Sequence, residues 1–172
     1  MLTFGELSQS PLGPISVAAG DQDLMAISYQ PLGDLKHKLE DTDQEPALTS
    51  FSMISTFIKE LNEYLNGNRR MFSTAIEWNI FRGFQKDVLQ VVYDIPYGSL
   101  RTYGEIAKEL GTPKAARAIG AALGTNPLPI LIPCHRVIGS DHHLRGYSGG
   151  LQRKAFLLKL EGHRIKNERI IT

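Results

Sequence analysis

Cysteine is nearly absent from this sequence, because Cys134 is the only one among 172 residues. A single thiol excludes an internal disulfide and any zinc site made of several cysteines, and it favours a reducing compartment. Apolar runs long enough to span a membrane are missing, and the first residues lack the basic and apolar pattern of a secretion signal. We therefore expect a cytoplasmic globular protein with one large domain or two small ones.

Net charge is also small, at +1, but the two halves of the chain differ in sign. Residues 1–77 contain 5 Lys and Arg against 11 Asp and Glu, whereas residues 78–172 contain 14 against 7. A basic second half favours a polyanionic partner for that half alone, although chance surface charge explains the distribution equally well. We place a domain boundary near residue 79, between the two compositions.

The first half has the pattern of a small sheet followed by helices. Turn signals between short apolar stretches predict two or three strands within residues 3–29. Residues 31–50 are polar and acidic, which predicts a loop and a marginal helix. Apolar residues at spacings of three and four over 54–65 predict an amphipathic helix that ends at 66–68, and 72–80 is expected to be an extended connector.

The second half predicts a helix-turn-helix. A buried helix is expected over residues 84–93, and Thr102 with Glu105 fits a capping box that starts the next helix. Pro113 suits the first position of a further helix over 114–123, which is rich in Ala and Gly. Its small side chains favour a narrow groove or sequence-independent DNA binding, although packing against the protein's own core remains an alternative for one face.

Cys134 has neighbours that favour reactivity. It follows an apolar run over 130–132, which resembles a strand, and it precedes His135 and Arg136, residue types that lower the pKa of a thiol. Residues 145–150 form a loop of small residues, where the backbone can approach a ligand closely. An isolated cysteine is more often a small buried apolar residue, but this pattern favours a reactive thiol facing a tight pocket.

Several blocks of the second half resemble O6-alkylguanine-DNA alkyltransferases, also called methylated-DNA–protein-cysteine methyltransferases. The blocks occur in the order of that family, at residues 96–98, 102–103, 113–120, 126–127, 129–137 and 147–150. The resemblance implies a mixed α/β (α+β) fold. Residues 1–79 would form a ribonuclease-H-like support domain, and 80–172 a mostly helical, winged-helix-like DNA-binding and alkyl-acceptor domain with the helix-turn-helix.

The resemblance also implies an activity. The family transfers an alkyl group from O6 of guanine in DNA irreversibly to its own cysteine, so each molecule would act once, without a metal or organic cofactor. The partner would be double-stranded DNA carrying O6-alkylguanine, with no membrane contact and a monomeric protein; cooperative binding and action on O4-alkylthymine are left open. The additional zinc-binding cysteines of some relatives are absent, so we expect no zinc.

The family's roles carry over onto matching residues. Cys134 would be the nucleophile, His135 would take its proton through a water, and Glu161 would hold the imidazole. Asn126 would connect the turn before the cysteine to the second helix. Tyr103 would crowd the target phosphate and assist protonation of the leaving base, and Arg117 would fill the space of the flipped nucleotide. Further DNA-binding candidates are Thr102, Lys114, Ala116, Ala118 and Gly120.

The pocket would use backbone as well as side chains. The carbonyls of Cys134 and Val137 would accept the guanine amino group, and Tyr147, Ser148 and Gly149 would line the pocket. Pro129 and Leu123 would form its apolar walls, Lys154 would lie nearby, and His142, His143 and His163 are expected to be solvated without a role. Arg145 stands where some relatives have glycine, and we hypothesise that it weakens reaction with bulky benzyl-type guanines.

Two other classes remain open from the sequence alone. A non-catalytic protein that binds alkylated lesions is one, although related proteins of that kind lack the cysteine. A helix-turn-helix regulator is the other, and the lack of polar side chains over 114–123 counts against sequence reading by that helix. A cysteine hydrolase is a distant alternative, since nothing in the sequence suggests an oxyanion hole.

Overall fold

The computed structural model describes residues 2–20, 23–39 and 48–171, with the side chains of 48–50 excepted. It divides into two compact units, Met1–Glu77 and Trp78–Thr172. The boundary near residue 79 and the roles given to the two domains stay predictions. Residues 40–47, which belong to the segment 31–50 expected as a loop and a marginal helix, lie outside the described residues. None of the helices in the described ranges combines the length and apolar composition needed to cross a bilayer.

The first unit is a three-stranded antiparallel sheet with two helices. Strands β1 (Thr3–Leu7), β2 (Ile15–Ala19) and β3 (Leu24–Ser28) follow one another in the sheet, and all five residues of β2 are buried. Helices α1 (Leu32–Leu39) and α2 (Leu48–Leu65) follow. These elements confirm the strands and the amphipathic helix that the sequence predicts.

One glycine sets how closely α2 approaches the sheet. A Cβ built on Gly5 of β1 would lie 2.4 Å from Cγ2 of Ile54, closer than real Cβ atoms come to another heavy atom. The helix therefore packs directly on the strand backbone at this point, and a larger residue here would force the two apart.

The second unit is mostly helical and contains two small sheets. The elements are α3 (Gly83–Tyr93), β4 (Arg101–Thr102), α4 (Tyr103–Glu109), α5 (Ala116–Gly124), β5 (Val137–Ile138), α6 (Leu151–Leu160), β6 (Arg164–Lys166) and β7 (Arg169–Ile171). Strand β4 pairs in parallel with β5, and β6 and β7 form an antiparallel hairpin. Two short 3-10 helices lie at Trp78–Ile80 and Cys134–Arg136.

The helix-turn-helix is formed by α4 and α5. The predicted capping box is present, because the Thr102 hydroxyl accepts from the Glu105 backbone N–H while the Glu105 carboxylate accepts from that of Thr102. The predicted start of α5 is wrong: Pro113 and Lys114 lie in a turn that is closed by a 2.8 Å bond from Ala115 N to Thr112 O. Proline is as well suited to this turn position as to a helix start, and the sequence alone does not separate the two.

The apolar run before Cys134 is not a strand. Ile132 N donates to Leu128 O at 2.8 Å, which closes a five-residue turn, and Ile130 has a φ of 75°. This left-handed conformation is unusual and strained for a β-branched residue, and it turns the chain sharply just before the cysteine. The run is apolar because it is buried, and burial alone cannot distinguish a strand from an irregular segment.

Candidate active site

A cavity of about 660 Å³ opens beside Cys134 in the second unit. Its lining includes nine residues that the sequence predicts for a site: Tyr103, Ala116, Arg117, Gly120, Leu123, Cys134, Arg145, Tyr147 and Ser148. It also includes Gly146, from the loop over 145–150 expected at the pocket, and four residues that sequence reasoning missed: Gly104, Gly124, Gly139 and Ser140. Pro129, Val137, Gly149 and Lys154 are outside this lining and are buried. Gly104 and Gly124 directly adjoin predicted residues in the chain, whereas Gly139 and Ser140 have no signal in the sequence that could have found them.

One face of α5 forms a wall of the cavity. Ala116, Gly120 and Leu123 recur at spacings of four and three along the helix, so they share a face. Arg117 is exposed at the edge of the same face. The small side chains on this face of α5 leave room for the cavity beside Cys134. Lys114 and Ala118 are exposed away from the lining, and Thr102 caps α4.

Asn126 holds the loop from residue 126 to 134, called the cysteine loop here. Its Nδ2 donates to the carbonyl of Ile132 at 3.0 Å and to Sγ of Cys134 at 3.1 Å, while its Oδ1 accepts from Leu128 N at 3.0 Å. The amide therefore fixes the turn and places a hydrogen-bond donor on the sulfur, where it stabilises a thiolate. This direct bond to the sulfur is not apparent from the sequence.

The Cys134 thiol has a raised pKa, contrary to the sequence-based expectation. Burial, which leaves the residue only 4% exposed, is the main cause and favours the neutral thiol. The hydrogen bond from Asn126 and the charge of Lys154 act in the opposite direction. His135 and Arg136 do not provide the expected activation by proximity, because their side chains bond to Glu161 instead. The resting nucleophile is therefore a protonated thiol that must lose its proton to react.

His135, Arg136 and Glu161 form a buried network, called the Glu161 cluster here. Oε1 of Glu161 lies 2.9 Å from His135 Nε2 and 2.8 Å from Arg136 Nη2, and Arg136 Nε donates to both carboxylate oxygens at 3.1 and 3.0 Å. The side chains of His135 and Glu161 are 0% exposed. The expected pairing of His135 with Glu161 is thus present, and Arg136, which was expected to lower the pKa of the thiol, is the third member of the cluster.

The cluster determines the protonation of the histidine. Burial lowers the pKa of His135 and outweighs the opposing effect of Glu161, so the imidazole is neutral near pH 7. Burial raises the pKa of Glu161, but the hydrogen bonds and charges of His135 and Arg136 hold it well below its usual range. A carboxylate only accepts hydrogen bonds, so Nε2 carries the imidazole proton and Nδ1 carries the lone pair.

The segment Pro96-Tyr97-Gly98, which follows α3 in the chain, supports the Glu161 cluster. Gly98 N donates to Oε2 of Glu161 at 3.0 Å, and the Tyr97 hydroxyl donates to Leu160 O at 2.9 Å. Arg136 Nη1 donates to Ile95 O at 2.5 Å, and its guanidinium lies 5.9 Å from the centroid of the Tyr97 ring. Gly98 has a φ of 75°, which only glycine adopts freely. These contacts give a structural reason for a motif that the resemblance left unexplained.

Lys154 on α6 is fully buried, not a surface residue. Its Nζ donates to the Val137 carbonyl at 2.6 Å, and burial lowers its pKa to about 8. That carbonyl is one of the two expected to accept the guanine amino group. A carbonyl oxygen has two lone pairs, so the lysine leaves one of them for a ligand.

The rim of the cavity is formed by residues 139–146, called the rim loop here. Arg145 has a φ of 56° and its half-exposed side chain forms an ion pair with Asp141. A Cβ built on Gly139 would lie 2.5 Å from Asp141 Oδ1 and 2.8 Å from Arg145 Nε, so the ion pair lies directly over this glycine. Burial raises the pKa of Tyr103, and so does Cys134, which keeps the phenol protonated as a donor.

The remaining histidines differ in their surroundings. His142 is exposed as expected, and His143 Nδ1 lies 3.2 Å from Asp141 Oδ2. His163 is only partly exposed and its Nε2 is buried, so the expectation of a solvated side chain is wrong for that atom. Within the described ranges no group of three potential ligands is arranged to hold a metal ion.

Comparison with known proteins relates both units to one family. A family model described as the DNA binding domain of 6-O-methylguanine DNA methyltransferase matches residues 83–163, and the model for its ribonuclease-like domain matches residues 4–78. A methylated-DNA–protein-cysteine methyltransferase of Methanosarcina acetivorans is 41% identical over 154 residues, which cover 90% of this chain and 95% of that protein. The chain therefore belongs to the 6-O-methylguanine DNA methyltransferase family.

Solved structures agree with this assignment. The crystal structure of the Mycobacterium tuberculosis O6-methylguanine methyltransferase has a TM-score of 0.73 and 36% identity, covering 94% of this chain and 93% of that one. A structure of Mycobacterium tuberculosis OGT in complex with DNA has a TM-score of 0.74 and 38% identity, covering 92% and 91%. The mixed α/β fold implied by the resemblance is thus confirmed.

Proposed function

We propose that this protein repairs DNA by transferring an alkyl group from O6 of guanine to Sγ of Cys134, once per molecule. The observation that carries the proposal is the position of Cys134: its sulfur faces a cavity, accepts a hydrogen bond from Asn126 and adjoins the Glu161 cluster. The names of the relatives, methylated-DNA–protein-cysteine methyltransferases, support the same reaction.

The chemistry is a displacement at the alkyl carbon. Cys134 loses its proton to His135 through a water, and the lone pair on Nδ1 makes the neutral imidazole a suitable base. The thiolate attacks the alkyl carbon, an S–C bond forms, the C–O6 bond breaks, and the bonding electrons stay on the base. The base gains one proton in place of the alkyl group, so the overall balance requires no cofactor. The thioether is not hydrolysed, which limits each molecule to one event.

Tyr103 assists the leaving base as a hydrogen-bond donor. Its raised pKa disfavours full ionisation, so we assign it stabilisation of the negative charge that develops on guanine rather than complete proton transfer. Tyr147 and Ser148 line the same cavity and would contact the base, and the carbonyls of Cys134 and Val137 would accept its amino group. Leu123 would provide an apolar wall. Pro129, Gly149 and Lys154 would support the pocket from outside its lining.

The substrate is double-stranded DNA with the lesion rotated out of the helix. Rotation costs a few kcal/mol, and a side chain that fills the vacated space offsets part of it. Arg117 is exposed at the cavity edge on α5 and suits this role. Ala116 and Gly120 permit close approach of the strand, while Thr102, Lys114 and Ala118 would contact the backbone. Phosphate contacts should make binding depend on salt more than on sequence.

We also propose a role for each of the two domains and a cellular location for the protein. Residues 80–172 would bind DNA and accept the alkyl group, and residues 1–79 would support them. Arg117 is one of the 14 Lys and Arg in the basic part of the chain. A cytoplasmic location would keep the single thiol reduced, which the reaction requires. We propose that the protein acts as a monomer.

Intact-protein mass after incubation with an O6-methylguanine duplex tests the proposal. We expect a single methyl increment on the wild type, at most one per molecule, and none on Cys134→Ala, which binds the duplex equally well. No increment with tight binding of the lesion would indicate a recognition protein. Several repaired lesions per molecule would indicate turnover and would also contradict the proposal.

A further inference from the structure

The β6–β7 hairpin holds the middle of the rim loop by backbone hydrogen bonds. Leu144 N donates to the carbonyl of Glu168 at 2.9 Å, and Ile170 N donates to the carbonyl of His142 at 2.9 Å. An antiparallel bridge accompanies these two bonds, so the stretch 142–144 pairs with β7 like a short additional strand. The rim loop is therefore attached to a regular element.

Side chains add to this backbone pairing. Arg169 of β7 reaches the rim loop, where its Nε donates to the carbonyl of Asp141 at 3.0 Å. Leu144 is fully buried in an apolar cluster, and Ile165 and Ile170 of the hairpin pack against that cluster. The hairpin thus holds the rim loop through two backbone bonds, one arginine and apolar contact.

The stretch that the hairpin holds lies between the parts of the rim loop that line the cavity. These lining residues precede and follow it in the chain: Gly139, Ser140, Arg145 and Gly146. Gly139 N also donates to the carbonyl of His143 at 2.8 Å, so the start of the rim loop is bonded to the same stretch that β7 holds. A displacement of 142–144 would therefore move both ends of the cavity rim.

We propose that the β6–β7 hairpin is a positioning element that fixes the rim loop, and thereby determines how tightly the cavity holds the extruded base and how bulky an O6-substituent it accepts. A loop that is already fixed loses less conformational freedom when a ligand binds, so fixing it raises affinity. Other contacts position the nucleophile, since Asn126 donates to Sγ of Cys134 and His135 bonds to Glu161. The hairpin therefore acts on binding and not on the transfer step. The effect on the substrate rests on the proposed function, whereas the anchoring of the rim loop does not.

The turn of the hairpin offers a variant that strengthens the anchoring. Asn167 and Glu168 have φ values of 49° and 55°, so both are left-handed, as in the turn type that suits two-residue hairpins. Asparagine tolerates this conformation, but the second position of such a turn favours glycine over glutamate. Glu168→Gly should therefore stabilise the hairpin, and it keeps the carbonyl that accepts from Leu144 N.

Amide hydrogen exchange of the protein without DNA, followed by NMR, tests the anchoring. Ile170→Pro removes the N–H that bonds to the rim loop, and Ile170→Ala is the matched control, because it loses the apolar side chain but keeps that N–H. We expect the amide protons of Leu144 and Gly139 to exchange about ten-fold faster in Ile170→Pro than in Ile170→Ala. Equal exchange in the two variants would overturn the proposal. If Ile170→Pro does not fold, Glu168→Gly decides: slower exchange at Leu144 than in the wild type supports the anchoring, and unchanged exchange contradicts it.

Single-turnover transfer from an O6-methylguanine duplex tests the effect on binding. Arg169→Met removes the bond to the Asp141 carbonyl, and Lys166→Met removes a cation from the opposite position of the same hairpin. We expect the half-saturating DNA concentration to rise several-fold in Arg169→Met at an unchanged maximal rate, while Lys166→Met follows the wild type. An equal rise in both variants would assign the effect to attraction between hairpin cations and DNA phosphates, and a lower maximal rate alone would indicate a role in the transfer step. Either result would contradict the positioning role.

The free base O6-benzylguanine tests the effect on selectivity, because it has no phosphate groups for the hairpin cations to attract. Its rate relative to that of the O6-methylguanine duplex should rise several-fold in Arg169→Met, where the rim loop is loosened, and should fall in Glu168→Gly. The same ratio in the wild type and both variants would overturn the role in selectivity. If the wild type transfers no methyl group to Cys134, the proposed function alone fails, and the exchange measurement still decides whether the hairpin fixes the rim loop.

Discussion

Two buried glutamates, one in each unit, combine similar burial with different surroundings. Glu60 on α2 is 3% exposed and Glu161 after α6 is 6% exposed. The Glu60 carboxylate accepts from the backbone N–H and hydroxyl of Ser73 and from the Thr74 hydroxyl, with Arg69 Nη1 at 3.1 Å. These donors bind the chain after α2 to the helix, so Glu60 fixes a connection between elements.

Glu161 uses its oxygens in another way. Its donors are the imidazole of His135, the guanidinium of Arg136 and one backbone N–H, that of Gly98. Burial raises the pKa of both carboxyls and the donors reverse this effect, so both pKa values lie below the ordinary one. Burial and pKa direction therefore do not separate a structural carboxylate from a functional one. The donors do, because only Glu161 fixes the tautomer of a base beside a nucleophile.

The largest effect is expected for Glu161→Gln. The amide places N–H groups towards donors and leaves the buried Arg136 without its counter-charge, so the free energy of unfolding should fall by about 3–5 kcal/mol. The histidine also loses the anion that orients it, and the single-turnover rate should fall at least about 100-fold. Urea unfolding and transfer to an O6-methylguanine duplex measure the two effects.

Acid unfolding provides a second readout for the same variant. The pKa of Glu161 is lower folded than unfolded, so the carboxylate contributes stability above about pH 5 that is lost as the pH falls through the folded value. Glu161→Gln should flatten this part of the stability profile. If Glu161→Gln kept the wild-type dependence of stability on pH and the wild-type transfer rate, Glu161 would be a structural carboxylate like Glu60.

Glu60→Gln should affect stability alone. Its donors are hydroxyls, a backbone N–H and a partly exposed arginine, so the loss should be about 1–3 kcal/mol. The transfer rate per folded molecule should equal that of the wild type, because the described partners of Glu60 all belong to the first unit and the proposed alkyl acceptor belongs to the second. A reduced rate at full folding would show that the first unit does more than support the second.

The fold was largely predictable because its elements follow local rules. The strands of the first unit, the amphipathic α2 and the capping box at Thr102 depend on nearby residues and agree with the structure. The errors arise where tertiary packing decides. The run over 130–132 is apolar because it is buried, yet Ile130 takes a left-handed conformation that no local propensity favours.

The site was predictable only in part, for a similar reason. Cys134, His135 and Glu161 came from a family resemblance, whereas Arg136 and Gly98 contribute through bonds across 25 and 63 positions of the chain. Such pairings exist only in the folded structure. Lys154 could not be identified as buried either, since lysine in a helix next to Arg153 has the pattern of a solvated face.

Within the described part of the chain, Lys154 is the uncompensated buried charge that neither glutamate has, since its Nζ donates to the neutral Val137 carbonyl. The pKa of Lys154 is about 8 in the folded protein against 10.5 ordinarily, so stability falls as the pH drops from 10.5 towards 8 and is then constant. The loss over this range amounts to about 1.4 kcal/mol for each unit between the two pKa values. Lys154→Met removes the ionisable group, so this part of the stability profile should be absent in the variant.

Melting temperatures of the wild type, Lys154→Met and Lys159→Met between about pH 7 and 10.5 measure this effect. We expect the melting temperature of Lys154→Met to rise relative to that of the wild type as the pH falls, whereas Lys159→Met, which changes an exposed residue of α6, should follow the wild type. A difference between Lys154→Met and the wild type that does not depend on pH would contradict a buried ammonium ion.

The smallest effect concerns the exposed ion pair of Arg145 with Asp141, which contrasts with both buried networks. An exposed pair contributes less than about 1 kcal/mol, so Arg145→Gly should leave the melting temperature nearly unchanged, the more so because glycine accepts the φ of 56°. The side chain nevertheless lines the cavity that holds Cys134. Its removal should raise the rate with O6-benzylguanine several-fold relative to an O6-methylguanine duplex. Asp141→Asn is the control, because it breaks the ion pair but keeps the Arg145 side chain at the rim of the cavity. If the ratio of the two rates rises equally in Asp141→Asn, selectivity depends on the position of the rim loop. If the ratio is unchanged in Arg145→Gly, Arg145 does not determine selectivity.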